Sequence, residues 1–254
     1  TAQPRLHRQV SAVRIEAEPG FLLHSTPYRD TSLLVDLYTA NHGRVRCVAK
    51  GFRKPNKQGI NRSIFPYTEH HFSWQGRGEL KTLTKADVVQ APVFLKQECL
   101  FTGLYINELF YRLLQEQDIH QYLYQQYQQF MAILCAAQPD EVRLRQLEMT
   151  LLEELGYGLV LDCEGQTGTA LIPDKYYQYI PEQGLIMSVN QREAVPGSYS
   201  GADLVNIACG EFSRGTAQRT AKQLLRSVID FYLGGRKLHS RELYRQHLLS
   251  QSPV

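Results

Sequence analysis

The chain has 254 residues, 43% hydrophobic and 21% charged, which excludes a disordered or coiled-coil protein and favours two packed domains over one. Its five cysteines, Cys47, Cys99, Cys135, Cys163 and Cys209, are odd in number and widely spaced; they fit a reducing compartment better than a disulfide framework or a paired metal knuckle. No apolar run approaches the roughly 20 residues of a membrane span, and residues 1–10 are basic and polar, so neither membrane insertion nor secretion is expected.

The net charge of +3 hides a segregation. Residues 1–85 carry 14 Lys or Arg against 6 Asp or Glu, and residues 86–182 carry 5 against 14. Residues 183–211 are weakly acidic, and residues 212–254 hold 8 cations against 2 anions. Between residues 44 and 62 lie Arg44, Arg46, Lys50, Arg53, Lys54, Lys57 and Arg62 with no acidic residue. Such a block attracts polyanions through phosphate neutralisation and counterion release, unless it is only a solvated face.

In chain order, residues 10–17, 21–24, 31–39, 44–50, 65–74 and 79–89 are short, rich in β-branched and aromatic residues, and separated by Gly, Pro, Asn or Asp. In the fourth segment Val45, Cys47 and Ala49 share one face, and Arg44, Arg46, Val48 and Lys50 the other. Gln75-Gly76-Arg77-Gly78 reads as a hairpin turn between the last two strands. Five or six antiparallel strands over residues 1–89 predict a small barrel with an OB-fold foremost, although strand count alone equally allows an SH3-like barrel.

From residue 90 the period becomes helical, giving an α+β protein. One helix carries Leu95, Leu100, Leu104, Leu109 and Leu113; a second covers residues 118–136; a third starts at Pro139-Asp140, with Asp140 as N-cap, and stops at Gly156. Residues 157–198 lose the period and read as a loop-rich unit whose hairpin, 176–180 and 185–189, turns at Pro181-Glu182-Gln183-Gly184. Helices return at about 202–209, 216–233 and 240–249.

Catalytic patterns are missing. No phosphate-binding Gly-x-x-x-x-Gly-Lys-Ser/Thr run occurs, and Gly156-Tyr157-Gly158 follows a helix where a dinucleotide fingerprint follows a strand. His70 and His71 are adjacent, so on a strand they point to opposite faces and cannot chelate one metal. No cysteine stands beside a His in a nucleophile signature. A non-enzyme without cofactor is expected.

Several blocks carry a resemblance in the same order. They are GFLLHSTPYRDTSLLVDLYT (20–39), HGRVRCVAKG (42–51), GRGELKTL (76–83), GLYINEL (103–109), LGYG (155–158) and YLGGRKLHSREL (232–243). Together they resemble the bacterial RecO family of recombination mediators over roughly residues 15–247. The resemblance implies an OB-fold followed by a helical domain, acting in gap repair by the RecF pathway without nucleotide hydrolysis. It also implies binding of single- and double-stranded DNA, annealing of complementary strands including those coated by single-strand DNA-binding protein (SSB), and cooperation with RecR in loading RecA. A cytoplasmic, nucleoid-associated location follows. Many members hold zinc on four cysteines after the Leu-Gly-Tyr-Gly block. Here that unit has Cys163 alone, which predicts a degenerate zinc-finger-like hairpin without metal.

For DNA contact the expected residues are the seven cations of 44–62, extended by Arg77 and Lys81 on the hairpin. Tyr28, Phe52 and Trp74 are candidate base-stacking rings, Trp74 being the more natural core residue. Arg219, Lys222, Arg226, Arg236, Lys237 and Arg241 either form a second DNA patch or dock on the acidic helices. The bacterial SSB tail is acidic with an apolar end, so its receptor pairs cations with an apolar pocket. Arg143 and Arg145, flanking Leu144, are the candidates; Arg145 matches a family position tied to that tail, with an intrahelical pairing to Glu141 or Glu148 as the alternative role.

Overall fold

The structure, a computed structural model, describes residues 13–52, 63–136, 139–190, 193–211 and 215–251. Arg53, Lys54, Lys57 and Arg62, four cations of the expected basic block, lie outside the described residues. The chain divides into two compact units, one running to Leu95 and including Leu114–Tyr124, the other formed by Lys96–Leu113 and the residues from Gln125 on. The stretch Leu114–Tyr124, which the sequence reading assigns to the helical domain, therefore belongs with the first unit.

The first unit is a closed five-stranded barrel of β1 (Arg14–Tyr28), β2 (Ser32–Thr39), β3 (Gly43–Ala49), β4 (His70–Gln75) and β5 (Lys81–Val88). Its order is β1-β2-β3-β5-β4, with β4 returning to β1. All pairings are antiparallel except β3 with β5, which run parallel with Cys47 opposite Lys81 and Ala49 opposite Leu83. This closure is that of an OB-fold, and it decides between barrels that strand count leaves open.

The two strands expected before residue 25 are one. Glu18-Pro19-Gly20 reads as a turn, yet β1 bends through it, with Ala17 at φ 52° and a register shift between Ile15 and Glu18. Gly20 is the hinge, pairing with His70 on β4 and Thr39 on β2. A Cβ there would stand 2.8 Å from the Tyr38 carbonyl oxygen, so only glycine lets β1 pass from one neighbour to the other.

Leu22, Val35, Leu37, Val45, Cys47, Ala49, Phe72, Trp74 and Leu83 form the barrel core. The alternation expected of β3 holds for Val45, Cys47 and Ala49, all buried, but Val48 on the opposite face is buried too. The stretch Leu114–Tyr124 covers the start of β3. Gln117 N–H donates to the Arg44 carbonyl at 2.9 Å, and a Cβ on Gly43 would meet the Asp118 carbonyl oxygen at 2.0 Å.

The second unit contains α1 (Gln97–Leu113), most of α2 (Gln121–Ala136), α3 (Glu141–Glu154), α4 (Gly201–Ala208), α5 (Gly215–Tyr232) and α6 (His239–Gln251). Asp140 caps α3 by accepting from Val142 N at 2.9 Å and Arg143 N at 3.1 Å. Gly156, at φ 81°, ends it. α5 buries Ala217, Ala221, Leu224, Leu225, Val228 and Ile229 on one face and packs on α3 and α4; α6 packs on α1. Among the described residues no helix is long and apolar enough to cross a membrane.

Between α3 and α4 lies a three-stranded sheet of β6 (Tyr176–Ile180), β7 (Gly184–Met187) and β8 (Ser198–Ser200), ordered β7-β6-β8. The hairpin is the expected one, whereas β8, three residues long, is too short to announce itself by alternation. Cys163 is a free thiol whose backbone pairs with Ala170 in an isolated β-bridge. The neighbouring Glu164 ties the loop to the sheet, accepting from Thr167 Oγ1 at 2.8 Å and from Met187 N at 3.0 Å. Among the described residues no three His, Cys, Asp or Glu side chains converge as a metal site.

Candidate nucleic-acid interface and binding cleft

The barrel does not present Arg44 and Arg46 as an open cationic face. Arg44 Nη1 meets Asp36 Oδ1 at 2.7 Å, its Nη2 lies 3.4 Å from Glu116, and its Nε donates to the Leu114 carbonyl at 3.0 Å. Arg46 Nε shares the same Asp36 oxygen at 3.0 Å. The pairing has a simple cause. Asp36 stands directly opposite Arg46 in the β2–β3 register, and the segment after α1 adds Glu116, so a run free of acids in sequence gains two in space. With its side chain only 11% exposed, Arg44 serves the barrel and not its surface.

Lys50 and Arg77 are exposed and Lys81 is half-buried. Lys50 follows β3, Lys81 opens the adjacent β5, and Arg77 lies in the loop between β4 and β5. Trp74 belongs to the core at 3% exposure, so it is no stacking platform, and half-buried Phe52 packs against the same cluster. Tyr28 differs, since the exposed Arg29 guanidinium sits over its ring at 5.2 Å. Sequence reasoning missed Arg29, although an aromatic followed by a cation at a turn was a usable signal.

In the helical unit Arg219, Arg236 and Lys237 are exposed. Lys222 docks on the acidic segment, 2.9 Å from Glu141 of α3, and Arg226 lies 3.9 Å from Asp230 one turn on. Lys222 and Arg226 also line a cleft of about 470 Å³ formed by α1, α3, α5 and α6. Its apolar lining comes from Phe101, Tyr105, Leu144, Tyr244 and Leu248, and its cations are Arg145, Lys222, Arg226, Arg241 and Arg245.

Arg145 is held from within. Its Nη1 meets Glu148 Oε2 at 2.7 Å, Tyr105 O–H donates to Glu148 Oε1 at 2.5 Å, and Arg241 stacks over the Tyr105 ring at 5.3 Å while bonding Asp230. Burial raises the pKa of Glu148 above the usual carboxylate range against the opposing pull of Arg145 and the Tyr105 hydrogen bond. Burial, reinforced by Glu148, likewise pushes the Tyr105 phenol up. Arg145 Nε is buried and has no hydrogen-bond acceptor among the described residues.

Of the two expected peptide-binding cations, the structure brings Arg145 to the cleft and not Arg143, which is exposed and donates to Gln146 at 3.4 Å. The cations it adds, Arg241 and Arg245 on α6 beside Lys222 and Arg226 on α5, form two pairs at four-residue spacing. That spacing sets each pair on one helix face and was readable. What was not readable is that the two faces meet.

Two family models match the chain, recombination protein O N terminal over residues 14–92 and recombination protein O C terminal over residues 98–242. The DNA repair protein RecO of Aromatoleum aromaticum is 38% identical over 233 residues, covering 92% of this chain and 96% of its own. That of Methylococcus capsulatus is 36% identical over 242 residues, 95% and 98%. That of Pseudomonas aeruginosa is 40% identical over 228 residues, 90% and 94%.

Proposed function

The chain belongs to the RecO family of DNA repair proteins, and from that premise we propose that it is a non-catalytic recombination mediator that anneals complementary strands, including strands coated by SSB. It works on nucleoid DNA in the cytoplasm and, with RecR, promotes loading of RecA. Annealing needs two polyanions brought together with their base edges free. Cations that bind phosphate and ignore sequence supply that, and no bond need be broken by the protein.

On the barrel, Lys50, Arg77 and Lys81 are the described candidates for phosphate contact; Arg53, Lys54, Lys57 and Arg62 are proposed with them on sequence alone. Arg219, Arg236 and Lys237 offer cations on the helical unit. The cleft is proposed as the seat of the SSB tail. The observation that carries this is the meeting of apolar Phe101, Leu144 and Tyr244 with Arg226, Arg241 and Arg245 in one cavity. An acidic peptide with an apolar end needs both, the cations for its carboxylates and the apolar wall for its terminus.

The test is annealing of SSB-coated complementary oligonucleotides without ATP. The wild-type chain should accelerate it, and Arg226→Glu combined with Arg245→Glu should abolish the gain on coated strands while sparing naked ones. No acceleration by the wild-type chain would remove the proposal.

A second reading, a protein scaffold whose basic residues meet acidic partners instead of DNA, draws support from the neutralised Arg44 and Arg46. The salt dependence of oligonucleotide binding separates the two, because each neutralised single-strand phosphate contributes a log–log slope of about −0.7. A flat response selects the scaffold.

A further inference from the structure

Five of the cleft-lining residues, Ser240, Arg241, Tyr244, Arg245 and Leu248, come from α6. Packing holds the middle of this helix, where Phe101 of α1 meets the rings of Tyr244 and His247. Ser240 is its only buried residue, and Leu243, Leu248 and Leu249 are half-exposed or more. Polar contacts are what fix its first turn, just before Arg241 and Arg245. The first turn of a helix carries N–H groups with no partner inside the helix and a partial positive charge, so a carboxylate from elsewhere can anchor it.

Glu108, on α1, is that carboxylate. Its Oε1 accepts from His239 N at 3.0 Å, and its Oε2 accepts from Ser240 N and Ser240 Oγ, both at 2.8 Å. Arg112 Nη2, one turn along α1, donates to Oε1 at 3.1 Å and holds the carboxylate in place. Burial alone would raise the pKa of Glu108, but the donors from Ser240, His239 and Arg112 outweigh it and leave the group below the usual carboxylate range. Glu108 itself is not among the residues lining the cleft.

We propose that Glu108 is a positioning residue for peptide recognition: by clamping the start of α6 it fixes Arg241 and Arg245 against the apolar wall so that the cleft accepts an acidic peptide with an apolar end. This rests on the reading of the cleft as the SSB-tail site.

The experiment titrates the full chain against a labelled aspartate-rich peptide ending in phenylalanine, following fluorescence anisotropy. Glu108→Gln, which keeps the shape and loses the charge and one acceptor oxygen, should weaken binding by about fivefold to tenfold, the scale of a lost helix cap. Ser240→Ala, which removes one of the three bonds to α6, should weaken it less. A double-mutant cycle supplies the readout that a general loss of stability would not move. If Glu108 acts through α6, Glu108→Gln with Arg245→Ala should lose clearly less than the product of the two single losses. With Arg226→Ala, on α5, the losses should multiply.

Unchanged binding by Glu108→Gln overturns the inference, as do losses that multiply with Arg245→Ala as fully as with Arg226→Ala. Failure of the wild-type chain to bind the peptide overturns the tail reading itself and this inference with it, so the two failures are distinguishable.

Discussion

Arg145 and Glu148, three residues apart on α3, form a 2.7 Å ion pair whose side chains are 7% and 0% exposed. The lost hydration of both ions offsets much of their attraction, so the pair is held less by its own strength than by the cost of breaking it. Removing one member strands the other charge. Arg145→Ala or Glu148→Ala should each cost about 3–5 kcal/mol in chemical denaturation, and Arg145→Met with Glu148→Leu should recover most of that loss. Charge reversal at Arg145 is then a test of folding before it is a test of binding. The exposed Arg226 and Arg245 are the cleaner probes of peptide recognition, and their reversal should leave the unfolding midpoint near wild type. A wild-type midpoint for Arg145→Ala would refute the structural role of the pair.

The same logic separates the barrel's cations. Lys50→Ala, Arg77→Ala and Lys81→Ala should each reduce the salt slope of single-strand binding by about 0.7, one phosphate's worth. Arg44→Ala should leave that slope unchanged and lower stability, because it deprives Asp36 of a guanidinium in a site where the carboxylate is 3% exposed. Oligonucleotide binding over a salt series, beside a denaturation curve, reads both effects. A slope for Arg44→Ala as shallow as that for Lys50→Ala would return Arg44 to the DNA surface.

Local patterns were legible where the cause is local. Val45, Cys47 and Ala49 alternate because a strand's side chains alternate; Asp140 caps α3 because its carboxylate reaches N–H groups two and three residues on. The pairing of Arg145 with Glu148 was readable as one option from helical spacing, yet its burial was not, since α1 and α6 supply Tyr105 and Arg241 from distant sequence. The barrel itself was legible from its strand count, but the pairing that closes it was not, for the same reason. Strand segments show in a single sequence, but the parallel meeting of β3 and β5 is set by which edges remain to be paired. Arg44 misled because its partners, Asp36 and Glu116, lie outside the basic block, one on β2 and one past α1.

Thiol chemistry offers a check on barrel packing. Burial, partly countered by Lys81, pushes the Cys47 thiol up to about 12, so almost none of it is thiolate at neutral pH. Cys209 is exposed just past α4. Brief alkylation with iodoacetamide followed by peptide mass mapping should label Cys209 in the folded protein and Cys47 only once denaturant unfolds the barrel. Equal labelling of the two in the native chain would mean that the core around Val35, Leu37 and Phe72 is not closed.

His70 gives the barrel a pH dependence with a definite sign. It is fully buried; its Nδ1 donates to the Thr68 carbonyl at 2.8 Å and its Nε2 accepts from Phe65 N at 3.3 Å, an arrangement that only the neutral ring satisfies. Burial lowers its pKa below the ordinary histidine value, against the smaller opposing effects of the Thr68 carbonyl and Asp87. The folded barrel thus takes up this proton less readily than the unfolded chain does. The stability His70 contributes is fully present above the unfolded value, about 6.5, and is lost as pH falls from there through the lowered folded value. Denaturation curves taken from about pH 7.5 to 5.5 should show the midpoint of the wild-type chain falling. His70→Gln should start lower, having lost the ring stacked on Phe72, and fall less steeply, since glutamine has no proton to gain. Parallel slopes for the two proteins would place the titrating group elsewhere.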